Sequence, residues 1–418
     1  MFRKHVLDNG LTILTEEMAQ VPSVTVGVWL KRGSRHETAK ESGLSHFIEH
    51  MVFKGTERRT QARIAQEMDE IGGQTDAFTS QEHAGFHAKV LGEDLPRAVD
   101  LLSDIVLSPR FDARELERER MVIFEEIKSV EDAPEELVHD MFCEFFWPNH
   151  PIGRPILGIP ETVGNFGRDD LVTFFRKIYA PSNIIVAAAG RLEHSHLIEL
   201  VQSHFERLRT PPDDLSVSAP DVASTVRVQE KDLEQAHLVI GTTALEAASP
   251  DRFAAYVLNA VLGGNLSSRL FQVIREQHGL AYSVYSGISS FQDCGQFTVY
   301  AGTDPKNVAD VLDLTLRELT RIKDEPVPHD ELERAKAHLR RATLMGLESN
   351  GARMSRAARQ EMTFGRHIPV EEALESFEAV TSEDVLRLAT EMFNERPLAM
   401  TLLGASTHFD PKPETLVA

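Results

Sequence analysis

Residues 46–50 read His-Phe-Ile-Glu-His, two imidazoles and a carboxylate within one turn and a half of helix. At about 100° per residue, His46, Glu49 and His50 share roughly a third of the helical circumference. Leu44, Phe47, Ile48 and Met51 form the i, i+3, i+4, i+7 stripe that packs such a helix onto a core. Two histidines four residues apart can grip one metal ion while an acid beside them takes a proton from a water that the ion polarises. This is the H-x-x-E-H arrangement of inverted zincins.

A catalytic zinc takes three protein ligands and keeps one position open, so a third ligand must come from elsewhere. The sequence predicts a helix from about Ala113 to Val130, opened by Asp112 as N-cap with Glu115 three residues on. Glu119 and Glu126 lie seven apart on it, about 700° of rotation, and share a face with Leu116, Ile123, Ile127 and Val130. Carboxylates on an inward face are costly unless a cation offsets their burial. Glu126 is therefore the expected third ligand, and Glu119 the acid that orients a histidine or the ligand carboxylate.

The elements that must position these groups belong to a chain of 418 residues, enough for two to four domains at roughly 100–200 residues each. Its 42% hydrophobic content is ordinary for a globular protein and permits a sizeable core. A formal charge of −21 argues against nonspecific nucleic-acid binding. The first residues hold no apolar leader and no stretch approaches 18 uninterrupted apolar residues, so no membrane partner is expected and a soluble, cytoplasmic protein is. Cys143 and Cys294 are too few and too distant for a cysteine metal site or a disulfide framework, which leaves nitrogen and oxygen ligands.

The chain repeats itself. Asp170 to Tyr179, followed by the apolar Ile184 to Gly190, is echoed in the second half by Asp384 to Phe393 and Leu398 to Gly404. Glu115-Leu116-Glu117-Arg118 recurs as Glu331-Leu332-Glu333-Arg334, at nearly the same offset. Two related α+β domains are expected, each a mostly antiparallel sheet with helices on one face. Each half should open with a hairpin: Leu11 to Leu14 with Val24 to Leu30, and Val226 to Val228 with His237 to Thr243. The Pro-Pro of the segment Leu208 to Asp214 marks the linker, which gives a metal-bearing domain over 1–210 and a related domain over 215–418. Where the second half would repeat the metal face it reads Tyr256-Val257-Leu258-Asn259-Ala260, so one site is expected.

With these residues in view, the chain resembles the M16 metallopeptidases, the pitrilysin, insulysin and mitochondrial processing peptidase group, over nearly its whole length. His46 through Thr56, His-Phe-Ile-Glu-His-Met-Val-Phe-Lys-Gly-Thr, is similar to the family signature, and Glu126 follows His50 at the family's spacing for the third ligand. The resemblance implies one Zn2+ per chain held by His46, His50 and Glu126, with Glu49 as general base on zinc-bound water and Glu119 as the supporting catalytic acid. It implies that Ala77, Phe78 and Thr79 form a substrate-binding edge strand. It also implies that Arg275 and Tyr282, within Ile274-Arg275-Glu276 and Gly279-Leu280-Ala281-Tyr282, reach the bound peptide from the related domain. Glu136 and Asp140 match an acidic pocket for a substrate arginine and lie one helical turn apart, close enough to fork one guanidinium. Length and a single site are similar to the short subfamily, whose two-domain subunits pair into a closed chamber. That implies a homodimeric endopeptidase of extended or unfolded peptides, with Arg275 and Tyr282 acting in trans. The alternatives are a noncatalytic zinc-binding subunit and the catalytic half of a heterodimeric processing peptidase. One departure stands out: Asp76 occupies the place where the family usually has Asn.

The remaining candidates read as ordinary structure. His83 and His87 alternate along a predicted strand beside Phe86, and His194 and His196 follow a strand end, as structural or solvated side chains. Gly263-Gly264 reads as a turn, because no Gly-Lys-Ser/Thr follows it to cradle phosphate.

Overall fold

The computed structural model describes residues 1–208, 216–394, 398–405, 411–412 and 416. Strands β1 (Phe2–Val6), β2 (Thr12–Glu17), β3 (Ser23–Leu30), β4 (Gln74–Thr79), β5 (Ala84–Leu91) and β6 (Ile184–Gly190) form one sheet in the order β1-β2-β6-β3-β5-β4. Strands β7 (Val226–Glu230), β8 (Ala236–Thr243), β9 (Ala281–Ser290), β10 (Gly295–Thr303) and β11 (Ala399–Gly404) form a second in the order β7-β11-β8-β10-β9. Apart from the added edge strand β1, the two orders are the same permutation, and in each the parallel pair is the equivalent one, β2 with β6 and β7 with β11. The internal repeat is thus a duplicated α+β fold.

The expected opening hairpins are not formed. β2 pairs with β1 and β6, while β3 pairs with β6 and β5, so β6, the last strand of the half, lies between β2 and β3. β11 separates β7 from β8 in the same way. The reason is written in β6, whose seven residues are all buried. A strand with no polar face belongs in the interior of a sheet, and a parallel partner beside it is then tolerated.

The compact units also differ from a single cut near residue 210. One comprises Met1–Ser129, Arg154–Ser218 and Gly346–His367; the other comprises Val130–Gly153, Ala219–Met345 and Ile368–Ala418. Every strand of the first sheet precedes the expected linker and every strand of the second follows it, but the linker segment 209–214 itself lies outside the described residues. Among the described residues, what crosses the cut is one long α-helix in each direction with its flanking turns. Asn350–Phe364, from the second half of the sequence, packs Met354, Ala357 and Ala358 against Leu14, Trp29, Ile185 and Ala187 of the first sheet. Trp29 Nε1 donates to Met354 Sδ at 3.0 Å, and Thr25 Oγ1 donates to Asn350 Oδ1 at 3.1 Å. Pro134–Phe146, from the first half, packs Val138, Phe142 and Phe146 against Val239, Tyr300, Ala399 and Leu403 of the second sheet. Gly241 is required there, since a Cβ would stand 2.6 Å from Phe142 Cζ. Each sheet therefore carries a helical layer on one face and one exchanged helix on the other. Among the described residues no helix is long and apolar enough to cross a membrane.

Candidate metal centre

The helix Leu44–Val52 presses Leu44, Phe47, Ile48 and Met51 into the first core, as the apolar stripe requires. Its entry is held from two sides. Gly43 adopts φ 99°, and a Cβ on it would lie 2.8 Å from Leu157 O, so only glycine fits this turn. Glu37, buried, accepts the Gly43 N–H on Oε2 at 2.9 Å and the Ser45 N–H on Oε1 at 2.6 Å, meeting two donors that the first helical turn leaves free. Burial pushes the Glu37 carboxyl up to about 7.

The exit of the helix is equally fixed. Lys54 N–H closes on Met51 O at 3.1 Å. Thr56 Oγ1 donates to Asp104 Oδ2 at 2.7 Å, and Arg59 Nη1 donates to the same oxygen at 2.8 Å.

The structure brings His46, His50 and Glu126 together. His46 Nε2 lies 3.6 Å and His50 Nε2 3.4 Å from Glu126 Oε2, and one ligand atom from each residue falls within 4.8 Å of the others. Zinc bonds of about 2.0–2.1 Å in tetrahedral geometry set ligand atoms roughly 3.3–3.4 Å apart, so the trio fits this ion with little adjustment. Burial, with His50 adding, pushes His46 down to about 3, which leaves it neutral with a free lone pair. His46 Nδ1 is buried with no hydrogen-bond partner among the described residues.

Glu126 comes from the helix Ala113–Glu131, and Asp112 Oδ1 caps it by accepting the N–H groups of Arg114 (2.9 Å) and Glu115 (3.4 Å). The Glu115 carboxylate pairs with Arg118 at 2.6 Å. Glu119, 7% exposed, faces His50: Oε2 lies 3.2 Å from Nδ1. Its other oxygen, Oε1, takes Lys54 Nζ at 2.7 Å, a contact the sequence reading did not include.

Glu49 stands beside the trio. Thr79 Oγ1 donates to Glu49 Oε2 at 2.6 Å. Burial raises the Glu49 pKa, and the charges of Glu126 and Asp76 add to this, while the Thr79 hydrogen bond and His50 act against it. Thr79, with Ala77 and Phe78, lies on β4, an edge strand of the first sheet. Asp76 turns its carboxylate onto the next residue, accepting the Ala77 N–H at 2.9 Å. The role of Thr79 towards Glu49 was missed because nothing in a β-strand pattern marks which threonine meets a helix from another part of the chain. Buried Tyr179 was missed likewise; its phenol is raised by burial and by the nearby charge of Glu49.

The remaining expected residues lie in the second compact unit. Arg275 and Tyr282 are brought together: the guanidinium sits over the Tyr282 ring at 4.6 Å and the Phe271 ring at 4.8 Å, and Nη1 donates to Tyr282 O at 2.8 Å. The turn Phe271–Gln277 that presents Arg275 is π-helical, a form that recurs at functional sites. Tyr282 is 77% exposed. Glu136 and Asp140 lie one turn apart on Pro134–Phe146, and burial together with the charges of Glu136 and Glu144 pushes Asp140 up to about 6. His83 is structural, stacked on Trp29 and edge-on to Phe78. Tyr256 to Ala260 lie on Arg252–Leu262, which packs into the second core, and the His46 trio is the one metal-capable cluster among the described residues.

Comparison with known proteins adds an independent line. The family described as insulinase, peptidase family M16, matches residues 12–159, and the M16 inactive domain matches residues 165–339. A protein of Bacillus subtilis named an uncharacterized zinc protease is 38% identical over 406 residues, covering 97% of this chain and 99% of that one. One of Mycobacterium tuberculosis with the same description is 40% identical over 399 residues, covering 94% and 91%. Among solved structures, a protease from Helicobacter pylori superposes with a TM-score of 0.91 at 22% identity over 97% of this chain and 99% of that one. A peptidase M16 inactive domain from Pseudomonas fluorescens gives 0.91 at 20% identity over 98% and 100%. The structural likeness carries the fold.

Proposed function

The chain belongs to the M16 family of zinc proteases, and from that premise we propose that it is an endopeptidase of extended or unfolded peptides whose centre is His46, His50, Glu126 and Glu49. The observation that carries this reading is the convergence of two imidazoles on one carboxylate oxygen, at 3.4 and 3.6 Å, with a second carboxylate, Glu49, near enough to feel the charges of His50 and Glu126. His46, His50 and Glu126 would hold one zinc ion per chain, which when bound lowers the pKa of a water and polarises the scissile carbonyl.

Glu49 acts as general base. Its raised pKa suits a group that must take a proton at neutral pH and deliver it to the leaving amine. Thr79 occupies one of its oxygens and leaves the other to face the reacting water. The peptide adds as a further strand along β4 beside Ala77, Phe78 and Thr79, held through its main chain, so sequence selectivity is broad. Glu136 and Asp140 supply an acidic subsite for a basic side chain. Arg275, pre-set between two aromatic rings, and Tyr282 hydrogen-bond the peptide or the developing oxyanion. In this reading they are supplied by a second copy of the chain, two copies enclosing the chamber in which cleavage occurs.

The test is cleavage of a mixed set of extended peptides by the purified chain and by Glu49→Gln, with zinc measured in both. Activity in the parent and its loss in the variant at equal zinc is the expected result. An inactive parent carrying one zinc per chain would shift the reading to a heterodimer partner or a binding role.

A further inference from the structure

Between the metal trio and the protein surface lies one ionic contact that neither the sequence pattern nor the family comparison assigns. Glu119 is almost fully buried, and its two oxygens serve two different partners: Oε2 meets His50 Nδ1 at 3.2 Å and Oε1 meets Lys54 Nζ at 2.7 Å. A buried carboxylate facing only an imidazole would lack a fixed cationic partner, and among the described residues no second contact would hold its torsion. Lys54 answers both needs, because it brings a full positive charge and meets Oε1, the oxygen not turned towards His50 Nδ1.

We propose that Lys54 is a positioning residue of the metal centre: by holding Glu119 through Oε1 it fixes Oε2 on His50 Nδ1 and so aims His50 Nε2 at the ion. The inference rests on the zinc reading above. The backbone supports it. Lys54 follows His50 by one turn and sits just past the helix end, where its N–H is tied to Met51 O at 3.1 Å. The turn beyond is anchored by Thr56 and Arg59 to Asp104, both at 2.8 Å or less. The ammonium is therefore presented from a fixed base rather than from a free surface chain.

The chemistry follows from the imidazole. When Nδ1–H is donated to Glu119, the lone pair lies on Nε2, the nitrogen that faces Glu126 Oε2 at 3.4 Å. Without Lys54, Glu119 loses its cationic partner in this contact and the ring loses its tautomeric and rotational lock. His46, whose Nδ1 has no partner among the described residues, offers no second lock of this kind. The orientation of the ligand pair is thereby concentrated on the Lys54–Glu119–His50 line.

The experiment is zinc affinity of the full chain, measured by competition with a chelator, for the parent, Lys54→Met, Lys54→Arg, Glu119→Gln and the Lys54→Met/Glu119→Gln double variant. Outer-shell changes of this kind cost about 10–100-fold in metal affinity. Lys54→Met is expected to raise the zinc Kd by that factor, Lys54→Arg to restore most of it, and Lys54→Met to add little on the Glu119→Gln background, because both act through one line. A purely structural role for Lys54 would instead multiply the two losses. Lys54→Met binding zinc like the parent, or losing the full factor again on the Glu119→Gln background, overturns the proposal. Lys54→Gln, which keeps a neutral donor, is the second variant should Lys54→Met fold poorly, and an affinity equal to the parent's overturns it likewise. A parent that binds no zinc contradicts the metal reading itself, so the two failures are distinct.

Discussion

Replacing Thr79 by valine removes one oxygen and keeps the branched shape, so it isolates the hydrogen bond that holds Glu49. That bond spans 2.6 Å and runs from a neutral hydroxyl to a carboxylate flanking the metal trio. Hydrogen bonds to charged groups contribute about 1.5–3 kcal/mol. If the bond serves to aim the base, its loss appears in the barrier, and at about 1.4 kcal/mol per factor of ten kcat falls roughly 10- to 100-fold. Thr79 lies on an edge strand outside the core cluster, so the unfolding temperature should barely move. Zinc content should not change, because the Thr79 hydroxyl donates to Glu49 and not to any of the three proposed ligands. The assay is steady-state cleavage of an extended fluorogenic peptide, with zinc and thermal unfolding measured on the same samples, and Thr79→Ser as the variant that keeps the hydroxyl and the rate. An unchanged kcat in Thr79→Val at full zinc refutes the argument. A rise in KM alone would assign Thr79 to peptide binding and not to the base.

Glu126→Gln should lower zinc affinity by more than the roughly 10–100-fold expected of an outer-shell change, because it alters a proposed ligand; zinc per chain after dialysis against chelator reads this directly. Mixing Glu49→Gln with Arg275→Ala subunits tests action in trans: random pairing gives half mixed dimers with one complete site each, so activity should recover to about a quarter of the parent's. No recovery after verified subunit exchange places Arg275 in cis. Glu37 supplies a pH test. Burial lifts its carboxyl from 4.5 to about 7, so the native state retains a proton that the unfolded chain releases between those values. Its contribution to stability is present below the lower value and lost as pH rises through the upper one. The parent should therefore lose stability relative to Glu37→Gln between about pH 5 and pH 8, read as unfolding temperature against pH, and a constant difference would contradict the assignment.

What could be read from the sequence was local or periodic. His46, Glu49 and His50 were legible because one helical turn fixes their common face, and Glu126 because its offset of two turns from Glu119 coincides with the apolar stripe of one helix. Asp112 was legible as a cap for the same reason. The order of strands was not: β6 enters between β2 and β3 from the far end of the same half, and hydrophobic alternation says which face of a strand is buried but not which strand lies beside it. The exchanged helices Pro134–Phe146 and Asn350–Phe364 escaped for a related reason, since an apolar stripe does not name the sheet it covers. Within the site, the pairs formed by single side chains across distant segments were invisible. Lys54 belongs to the motif, yet its partner Glu119 is on another helix, and Glu37 caps the metal helix from well upstream of Gly43, beyond the reach of the usual capping pattern.

The central claim is that one zinc ion sits among His46, His50 and Glu126 with the peptide running along β4. Its most direct test is the crystal structure of zinc-loaded Glu49→Gln soaked with an extended peptide, using anomalous scattering to locate the metal. The account predicts one ion per chain at about 2.0–2.2 Å from His46 Nε2, His50 Nε2 and a Glu126 oxygen. It also predicts a peptide strand hydrogen-bonded along Ala77 to Thr79. An ion bound elsewhere, or a peptide ordered away from β4, would contradict it.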